Sequence, residues 1–278
     1  MKIKSPWQQM NSDDDVQEKG ALMAPSLSAG AFWAHVPMFF YYQPIVSLAS
    51  GSIYGVEALI RTRGLDGRPT VPAGDLNRLY YSNREGIVDF DRFVLARNIQ
   101  FLVKMHENGC PKRISINVSG VSFSENCSFL LEFVQECLLR HNRPDLIKFI
   151  DLEIVEWLEF EINEMVMMRV QACRDAGMGV CLDDAGTGNV GLDTFVSLPF
   201  SCLKIDRVFV QKMPVEEKAF YVAKGFTETA KSLNIRVVAE GVETEEQVEL
   251  LLELGVDYAQ GFYFHRPMSG EDLLLNCK

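Results

Sequence analysis

Short apolar segments alternate with segments of helical periodicity from residue 39 to the C-terminus. Most of the apolar segments are rich in Val, Ile or Leu, which is typical of strands buried on both faces. The predicted strands are residues 39–48, 52–61, 113–119, 150–156, 179–184, 202–206, 236–240 and 258–264. Eight strands interleaved with helices over about 240 residues predict an α/β fold, a (β/α)₈ barrel of the TIM type.

The first two predicted strands differ from the others because only a few residues around Ala49, Ser50 and Gly51 separate them. A connection that short closes a hairpin and cannot form the crossover that joins parallel strands. We therefore expect one antiparallel strand in the barrel.

Two helical signals stand out in the second half of the chain. Thr244 followed by Gln247 is the pattern of a capping box, which opens a helix. Residues 215–233 carry an apolar stripe at helical spacing. The stripe consists of Ala219, Val222, Ala223, Phe226, Ala230 and Leu233.

Length and charge restrict the domain organisation and the partners. The chain has 278 residues, enough for one large domain. We interpret residues 1–36 as a loosely ordered N-terminal leader and residues 37–278 as the folded domain. A net charge of −11 does not suit binding to duplex nucleic acid, which requires a basic surface. No membrane segment is predicted, because the apolar stretch 31–42 is short and contains His35 and Pro37.

The cysteines give no sign of a metal or disulfide framework. There are seven, and none forms a C-x-x-C pair. Most lie within apolar segments, where a reduced and buried thiol is the default expectation. A reducing cytoplasm is the compartment that fits best.

Polar side chains occur where the predicted strands end. In a barrel of this type, functional groups gather at the C-terminal ends of the strands. Five carboxylates brought into one opening would repel each other unless divalent cations neutralised them. Oxygen ligands of this kind favour Mg²⁺ or Mn²⁺ over zinc. The strand-end residues are Glu57, Asn117, Glu153, Asp183, Asp184, Lys204, Glu240 and Gln260.

Side-chain alternation along a strand refines this set. Residues two apart point to the same face, so Glu57, Leu59 and Arg61 share one side of their strand. Glu153 and Glu156 are three apart and face opposite sides, so only one of them can enter the metal site directly.

The ordered motifs together resemble the EAL family of cyclic di-GMP-specific phosphodiesterases, over about residues 37–277. Glu57-Ala58-Leu59 with Arg61 is similar to the signature that names the family. The other matching segments are Tyr42-Gln43-Pro44-Ile45, Ile116-Asn117-Val118-Ser119, Leu152-Glu153-Ile154-Val155-Glu156, Asp183-Asp184, Leu203-Lys204-Ile205-Asp206, Ala239-Glu240-Gly241-Val242-Glu243-Thr244 and Gln260-Gly261-Phe262.

The resemblance implies hydrolysis of cyclic di-GMP to linear pGpG, with two Mg²⁺ or Mn²⁺ ions per active site. It also allows a homodimer. It assigns Lys204 and Glu240 to catalysis, with Lys204 on the nucleophilic water or the phosphate. The implied metal ligands are Glu57, Asn117, Glu153 and Asp183 for the first ion, and Asp183, Asp184 and Glu240 for the second. The implied substrate-binding residues are Gln43, Leu59, Arg61 and Gln260, and Glu156 would anchor the loop after Asp184.

The segment after the aspartate pair departs from the family pattern. Ala185 stands where the family usually has Phe, and Asn189-Val190-Gly191 replaces Tyr-Ser-Ser. Val155 stands where the family usually has Thr. The ligands are intact, so we expect activity. The alternative is an EAL-type module that senses cyclic di-GMP or contacts a protein without turnover.

A second alternative comes from the glycines of this segment. Residues 186–191 match the G-x-G-x-x-G pattern of nicotinamide-binding proteins. We reject it because Asp183 and Asp184 directly precede the pattern and would repel a pyrophosphate. The pattern also normally follows the first strand of its domain, whereas here it follows the fifth.

Overall fold

The computed structural model describes residues 38–64, 66–72, 84–124, 130–155, 162–185 and 197–277. The predicted leader, Glu156 and the loop at 186–191 lie outside these ranges. The strands are Met38–Ser47 (β1), Ile53–Arg63 (β2), Pro69–Thr70 (β3), Arg113–Ser119 (β4), Ile150–Val155 (β5), Gly179–Ala185 (β6), Cys202–Ile205 (β7), Arg236–Ala239 (β8), Tyr258–Ala259 (β9) and Met268–Ser269 (β10).

Eight of these strands close a barrel, which confirms the predicted fold. The order around it is β1, β2, β4, β5, β6, β7, β8 and β9, and β9 pairs with β1 again. The short strands β3 and β10 extend the edges of β2 and β1 outside the barrel. Seven of the eight predicted strands agree with the structure to within two residues at each end.

The predicted hairpin is formed by β1 and β2. They pair antiparallel from Met38 and Thr62 down to Val46 and Ile53, and β1 is also antiparallel to β9. The remaining barrel pairs are parallel. Strand β1 is therefore the one reversed strand of this barrel.

Helices connect the strands and cover the barrel. The helices are Arg84–Glu107 (α1), Leu130–Arg140 (α2), Glu164–Asp175 (α3), Arg207–Lys212 (α4), Glu217–Ser232 (α5), Glu245–Leu254 (α6) and Gly270–Asn276 (α7), with 3-10 helices at Gly120–Phe123 and Pro144–Phe149. The capping box of α6 is present as predicted: Thr244 accepts from Gln247 N, and Gln247 accepts from Thr244 N. No helix in the described ranges is both long and apolar enough to cross a bilayer.

The apolar stripe on α5 is narrower than predicted. Ala219, Ala223 and Ala230 are buried, as expected. Val222 is 41% exposed and Leu233 is 55% exposed, so these two residues do not belong to the core. Val222 lies at the edge of the buried face, and Leu233 follows the last residue of the helix.

The eighth predicted strand is wrong in its length. It ends at Ala259 instead of residue 264, because the chain turns back after Gln260. His265 N donates to Gly261 O at 3.0 Å, and Tyr263 N donates to Val242 O at 3.0 Å. A Cβ atom at position 261 would overlap the backbone of Val242, so this close approach requires glycine.

One pair of cysteines contradicts the expectation of reduced thiols. Cys110 and Cys277 form a disulfide, although 167 residues separate them. Helix α7 packs against β1 and β10, which brings the C-terminus to the connection before β4. Sequence spacing cannot detect such a pair. Cys173, Cys181 and Cys202 are free and buried, as expected.

A layered barrel interior follows from the two-residue period of the strands. At the N-terminal end, Asp151 accepts hydrogen bonds from Arg113 on β4 (2.8 and 2.6 Å) and from Arg236 on β8 (3.0 Å). The next layer is apolar and consists of Ile45, Cys181, Cys202 and Val238, with Tyr54 and Tyr258 packed against it. The layer above it carries the polar residues of the site.

Candidate active site

The site lies one side-chain layer above the apolar layer, at the C-terminal ends of the strands. Lys204 follows Cys202 by two residues, Asp183 follows Cys181, and Glu240 follows Val238. Glu153 stands in the same relation to Asp151 at the base of the barrel. The strand period therefore points all four side chains into the barrel, with Lys204, Asp183 and Glu240 above the apolar layer and Glu153 one step lower, in register with Cys181.

Lys204 lies at the centre of four carboxylates. Its Nζ atom is 2.5 Å from Glu240 Oε1, 3.0 Å from Glu153 Oε2 and 3.2 Å from Asp183 Oδ1. A fourth carboxylate, Glu57 Oε2, is 3.8 Å away. The exposed fraction of the side chain is 1% for Glu153 and 19% for Glu240, so the cluster opens towards Glu240.

Amide side chains extend the cluster on the β1 and β2 side. Asn117 Nδ2 donates to Glu57 Oε1 at 3.2 Å. Gln260 Nε2 donates to the other oxygen of Glu57 at 2.6 Å and to Gln43 Oε1 at 3.0 Å. Gln43 Nε2 then donates to His265 O at 3.1 Å. These contacts join Gln43, Asn117 and Gln260 to the carboxylate cluster.

The structure also adds a group that the sequence analysis missed. His265 takes part only through its backbone carbonyl, in the turn that replaces the end of the eighth predicted strand. A backbone contact leaves no pattern in side-chain types, so no sequence signal could have identified it.

Leu59 and Arg61 lie further along the Glu57 face of β2 and are half-buried. Arg61 Nη1 donates to Ile60 O at 2.8 Å. Burial lowers the pKa of Arg61, and the negative charge of Glu57 opposes that shift. Both residues stand beside the cluster without belonging to it, above the carboxylates and towards solvent.

Burial and mutual repulsion dominate the electrostatics of the cluster. Burial raises the pKa of Glu240 to about 8, against the attraction of Lys204, and the charges of Asp183 and Glu57 add to the increase. The pKa of Glu153 is raised well above its usual range for the same reasons. The surrounding carboxylates raise the pKa of Lys204 although its burial opposes this. The single ammonium group of Lys204 does not balance four carboxylates, so the cluster has an excess of negative charge.

This excess is chemically suited to divalent cations. The donors are carboxylate and amide oxygens, which Mg²⁺ and Mn²⁺ prefer. Asp183 Oδ1 is buried and forms an ion pair with Lys204 at 3.2 Å but accepts no hydrogen bond, so it retains a lone pair for a cation. Among the residues with described side chains, no three acidic, histidine or cysteine groups are spaced to coordinate one ion. The ammonium group of Lys204 stands between the carboxylates.

Two predicted residues cannot be compared in the same way. The backbone of Asp184 lies in β6, one residue beyond Asp183. Its side chain and the whole of Glu156 fall outside the described part of the chain. The roles assigned to them stay predictions.

Comparison with known proteins identifies the family. The model of the EAL domain matches residues 34–267. The chain belongs to the EAL family. The oxygen sensor protein DosP of Escherichia coli (strain K12) is 34% identical over 84% of this chain and 28% of its own length. The cyclic di-GMP phosphodiesterase RocR of Pseudomonas aeruginosa is 32% identical over 85% of this chain and 59% of its own length.

Solved EAL structures share the architecture as well. The phosphodiesterase PaMucR in complex with c-di-GMP superposes with a TM-score of 0.74 at 30% identity, covering 85% of this chain and 94% of that one. The curated EAL relatives are longer: this chain spans between about a quarter and three fifths of the two described above.

Proposed function

We propose that this EAL domain hydrolyses cyclic di-GMP to linear pGpG and uses two divalent cations, Mg²⁺ or Mn²⁺. The observation that carries the proposal is the convergence of four carboxylates on Lys204 in the mouth of the barrel. Relatives named as cyclic di-GMP phosphodiesterases, and a neighbouring structure in complex with c-di-GMP, support the choice of substrate.

In the proposed reaction, a water oxygen adds to one phosphorus atom and the bond from that phosphorus to O3′ breaks. The water loses a proton and the departing O3′ gains one, so cyclic di-GMP and one water give one linear dinucleotide. A phosphodiester is negatively charged and repels hydroxide, so the site must supply positive charge and orient the water.

The residues fit the proposed cations by their chemistry. Glu57, Asn117, Glu153 and Asp183 would hold the first ion, and Asp183, Asp184 and Glu240 would hold the second. When bound, such ions lower the pKa of a water molecule and neutralise the phosphate. Burial raises the pKa of Glu240 in the absence of cations, and a bound cation would lower it by favouring the carboxylate form.

The remaining side chains of the site hold the ligands and the substrate in position and compensate their charge. Lys204 holds the carboxylates together and adds positive charge beside the phosphate, where negative charge develops. Gln260 donates hydrogen bonds to both Glu57 and Gln43. Its own side-chain oxygen is buried without a hydrogen-bond partner, so it can accept a hydrogen bond from the substrate. Arg61 and Leu59 stand above them, where a guanidinium can pair with a phosphate and an apolar side chain can contact a base.

The test is incubation of the purified chain with cyclic di-GMP and either Mg²⁺ or Mn²⁺, followed by separation of linear pGpG from the cyclic form. We expect pGpG to accumulate only with a divalent cation and to disappear after EDTA treatment. Tight binding of cyclic di-GMP without any product would instead favour the sensor alternative. If the chain neither binds cyclic di-GMP nor forms pGpG, both the hydrolase proposal and the sensor alternative are excluded.

We also propose that residues 37–278 form the catalytic unit and that residues 1–36 are not needed for folding. The barrel strands and their closure lie within Met38–Ser269, which supports this boundary. A chain lacking residues 1–30 should unfold cooperatively and bind Mn²⁺ like the full chain. A truncated protein without a cooperative unfolding transition would move the boundary towards the N-terminus.

Two further proposals concern the setting of the domain. We propose that the domain acts in the cytoplasm and that two copies can pair, as the family resemblance allows. Thiol labelling in intact cells tests the first proposal, and sedimentation analysis with and without cyclic di-GMP tests the second.

A further inference from the structure

A buried carboxylate lies just outside the site, on the helix that precedes β4. Asp91 belongs to α1 and is 1% exposed. Its Oδ2 atom accepts a hydrogen bond from Ser119 N at 2.9 Å and another from Ser122 Oγ at 2.5 Å. Both donors are themselves buried. They belong to the segment that directly follows Asn117, one of the ligands assigned to the first cation.

The strand pairing explains why this segment needs support. Strand β2 pairs with β4 only as far as Ala58 and Ile116. Beyond Ile116, the residues of β4 keep a strand partner only in β5, up to Ser119 opposite Val155. Asn117 therefore lies in the part of β4 that is paired on one side. Asp91 binds the chain two residues later, where pairing with β2 has already stopped.

Asp91 also holds the point at which the strand becomes a turn. Ser119 is the last residue of β4 and the N-cap of the 3-10 helix Gly120–Phe123, and its side chain accepts from Val121 N. The carboxylate binds the backbone of the cap and, through Ser122, the helix that the cap opens. Charged hydrogen bonds of this kind are stronger than neutral ones. The turn is thus fixed at both of its ends by one side chain.

The position of this turn determines where Asn117 can point. Only Val118, which is fully buried, separates Asn117 from Ser119. Asn117 Nδ2 donates to Glu57, so the amide oxygen is the atom left for a cation. A displacement of Ser119 would be transmitted through two residues to that oxygen and to its contact with Glu57.

We propose that Asp91 is a positioning residue of the site: it fixes the end of β4 so that Asn117 presents its amide oxygen to the first cation. The inference rests on the proposed function, because it takes Asn117 to be a ligand. In this proposal Asp91 does not contact the cation or the substrate and acts through the Ser119–Ser122 turn. Sequence analysis did not select it, since it lies in the middle of a helix and away from any strand end.

The test is a titration of the full-length chain with Mn²⁺, in which free Mn²⁺ is followed by electron paramagnetic resonance. Asp91→Ala removes both hydrogen bonds. Loss of a partner that orients a metal ligand costs about 10–100-fold in affinity, and we expect a decrease of that size. Asp91→Asn retains an acceptor oxygen of the same shape and should lose less than about tenfold.

The matched control is Ile99→Ala. Ile99 is fully buried on the same helix, eight residues from Asp91 and so about 12 Å further from the mouth of the barrel. This variant should lower the thermal unfolding temperature at least as much as Asp91→Ala and leave Mn²⁺ affinity within about twofold of wild type. If both variants shift Mn²⁺ affinity equally, Asp91 only stabilises the fold and the proposal is overturned.

Ser122→Ala keeps the proposal testable if Asp91→Ala does not fold. It removes one of the two donors and leaves the backbone contact at Ser119, so we expect a loss of Mn²⁺ affinity smaller than that of Asp91→Ala but larger than that of Ile99→Ala. Unchanged Mn²⁺ affinity in Ser122→Ala would overturn the proposal. A wild-type chain that binds no Mn²⁺ would overturn the proposed metal site itself, whereas a binding wild type with unaffected variants overturns only the role of Asp91.

Discussion

Lys204 determines the chemistry of the site at the scale of single residues. A long apolar stem brings its ammonium group up from β7, and four carboxylates surround it at 2.5–3.8 Å. Charges buried this deeply are tolerated only when they are compensated. The same ammonium group therefore holds the carboxylates together in this chain. In the proposed function it would face a phosphate once cations take over that compensation.

Replacing Lys204 by Met should separate these two roles. The variant keeps the stem but leaves the buried carboxylates uncompensated, so the cation-free protein should lose about 3–5 kcal/mol of unfolding free energy. Added Mn²⁺ should restore much of that stability, whereas turnover should stay lower by about 10²–10³-fold. Urea denaturation with and without Mn²⁺, together with product formation, measures both effects. Lys224→Met, on the exposed side of α5, is the control.

Glu57 is the second residue for which the geometry gives a clear expectation. It is buried and holds both Asn117 and Gln260, so Glu57→Ala removes a charged ligand and the link between two amides. Activity should fall by at least about 10–100-fold, with weaker Mn²⁺ binding. Glu249→Gln, at an exposed position on α6, should retain wild-type activity. If Glu57→Ala kept more than about a tenth of the wild-type rate, the assignment of Glu57 as a ligand would be wrong.

At the scale of elements, the connection between β8 and α6 couples a helix cap to the site. Glu240 directly follows β8, and four residues later Thr244 opens α6. Gln247 Oε1 accepts from both Glu243 N (2.7 Å) and Thr244 N (3.1 Å). The capping box therefore fixes the segment that leads away from Glu240, and it does so with contacts that lie within a few residues of each other.

Thr244→Ala should test this element. Loss of the cap should cost about 1 kcal/mol, which corresponds to a decrease of about 2–4 °C in the unfolding temperature of a chain of this size. Thr244→Ser keeps the hydroxyl and should unfold close to wild type. Differential scanning calorimetry of the two variants gives the comparison. An equal decrease in both would mean that the methyl group of Thr244, and not its hydrogen bond, stabilises the helix.

At the scale of the whole molecule, a charged cluster at the N-terminal end of the barrel links strands from different parts of its wall. Asp151 on β5 joins Arg113 on β4 to Arg236 on β8, across the barrel interior. Gly179 makes room for it, because a Cβ at that position would overlap Asp151 Oδ1. Burial alone would raise the pKa of Asp151, but the two arginines outweigh it, and the pKa is lowered.

The lowered pKa of Asp151 predicts a defined dependence of stability on pH. The contribution is present above the pKa of the unfolded chain, about 3.9, and is lost as the pH falls towards the lower folded-state pKa. At pH 7, Asp151→Asn should lose about 3 kcal/mol of unfolding free energy, because it leaves two arginines without their counter-charge. The difference from wild type should narrow below about pH 4. Urea denaturation at both pH values measures it, and a constant difference would contradict the linkage.

The accuracy of the sequence-based prediction follows from the range of the interactions. Seven strands and the capping box of α6 were located to within two residues, because strand alternation and helix capping depend on neighbours in the chain. The eighth strand was predicted too long, since a contact between Gly261 and Val242 ends it. The disulfide between Cys110 and Cys277 was missed for the same reason: its partners are 167 residues apart.

The sequence by itself determined the barrel, its reversed first strand and the set of groups at its mouth, because each of these depends on side-chain period, connection length or residue type. Only the tertiary structure decided how those groups meet. It placed Lys204 between four carboxylates, His265 O against Gln43, and Asp91 behind Asn117. These contacts join residues between 21 and 222 positions apart, and their geometry exists only once the closed barrel has brought the strand ends together.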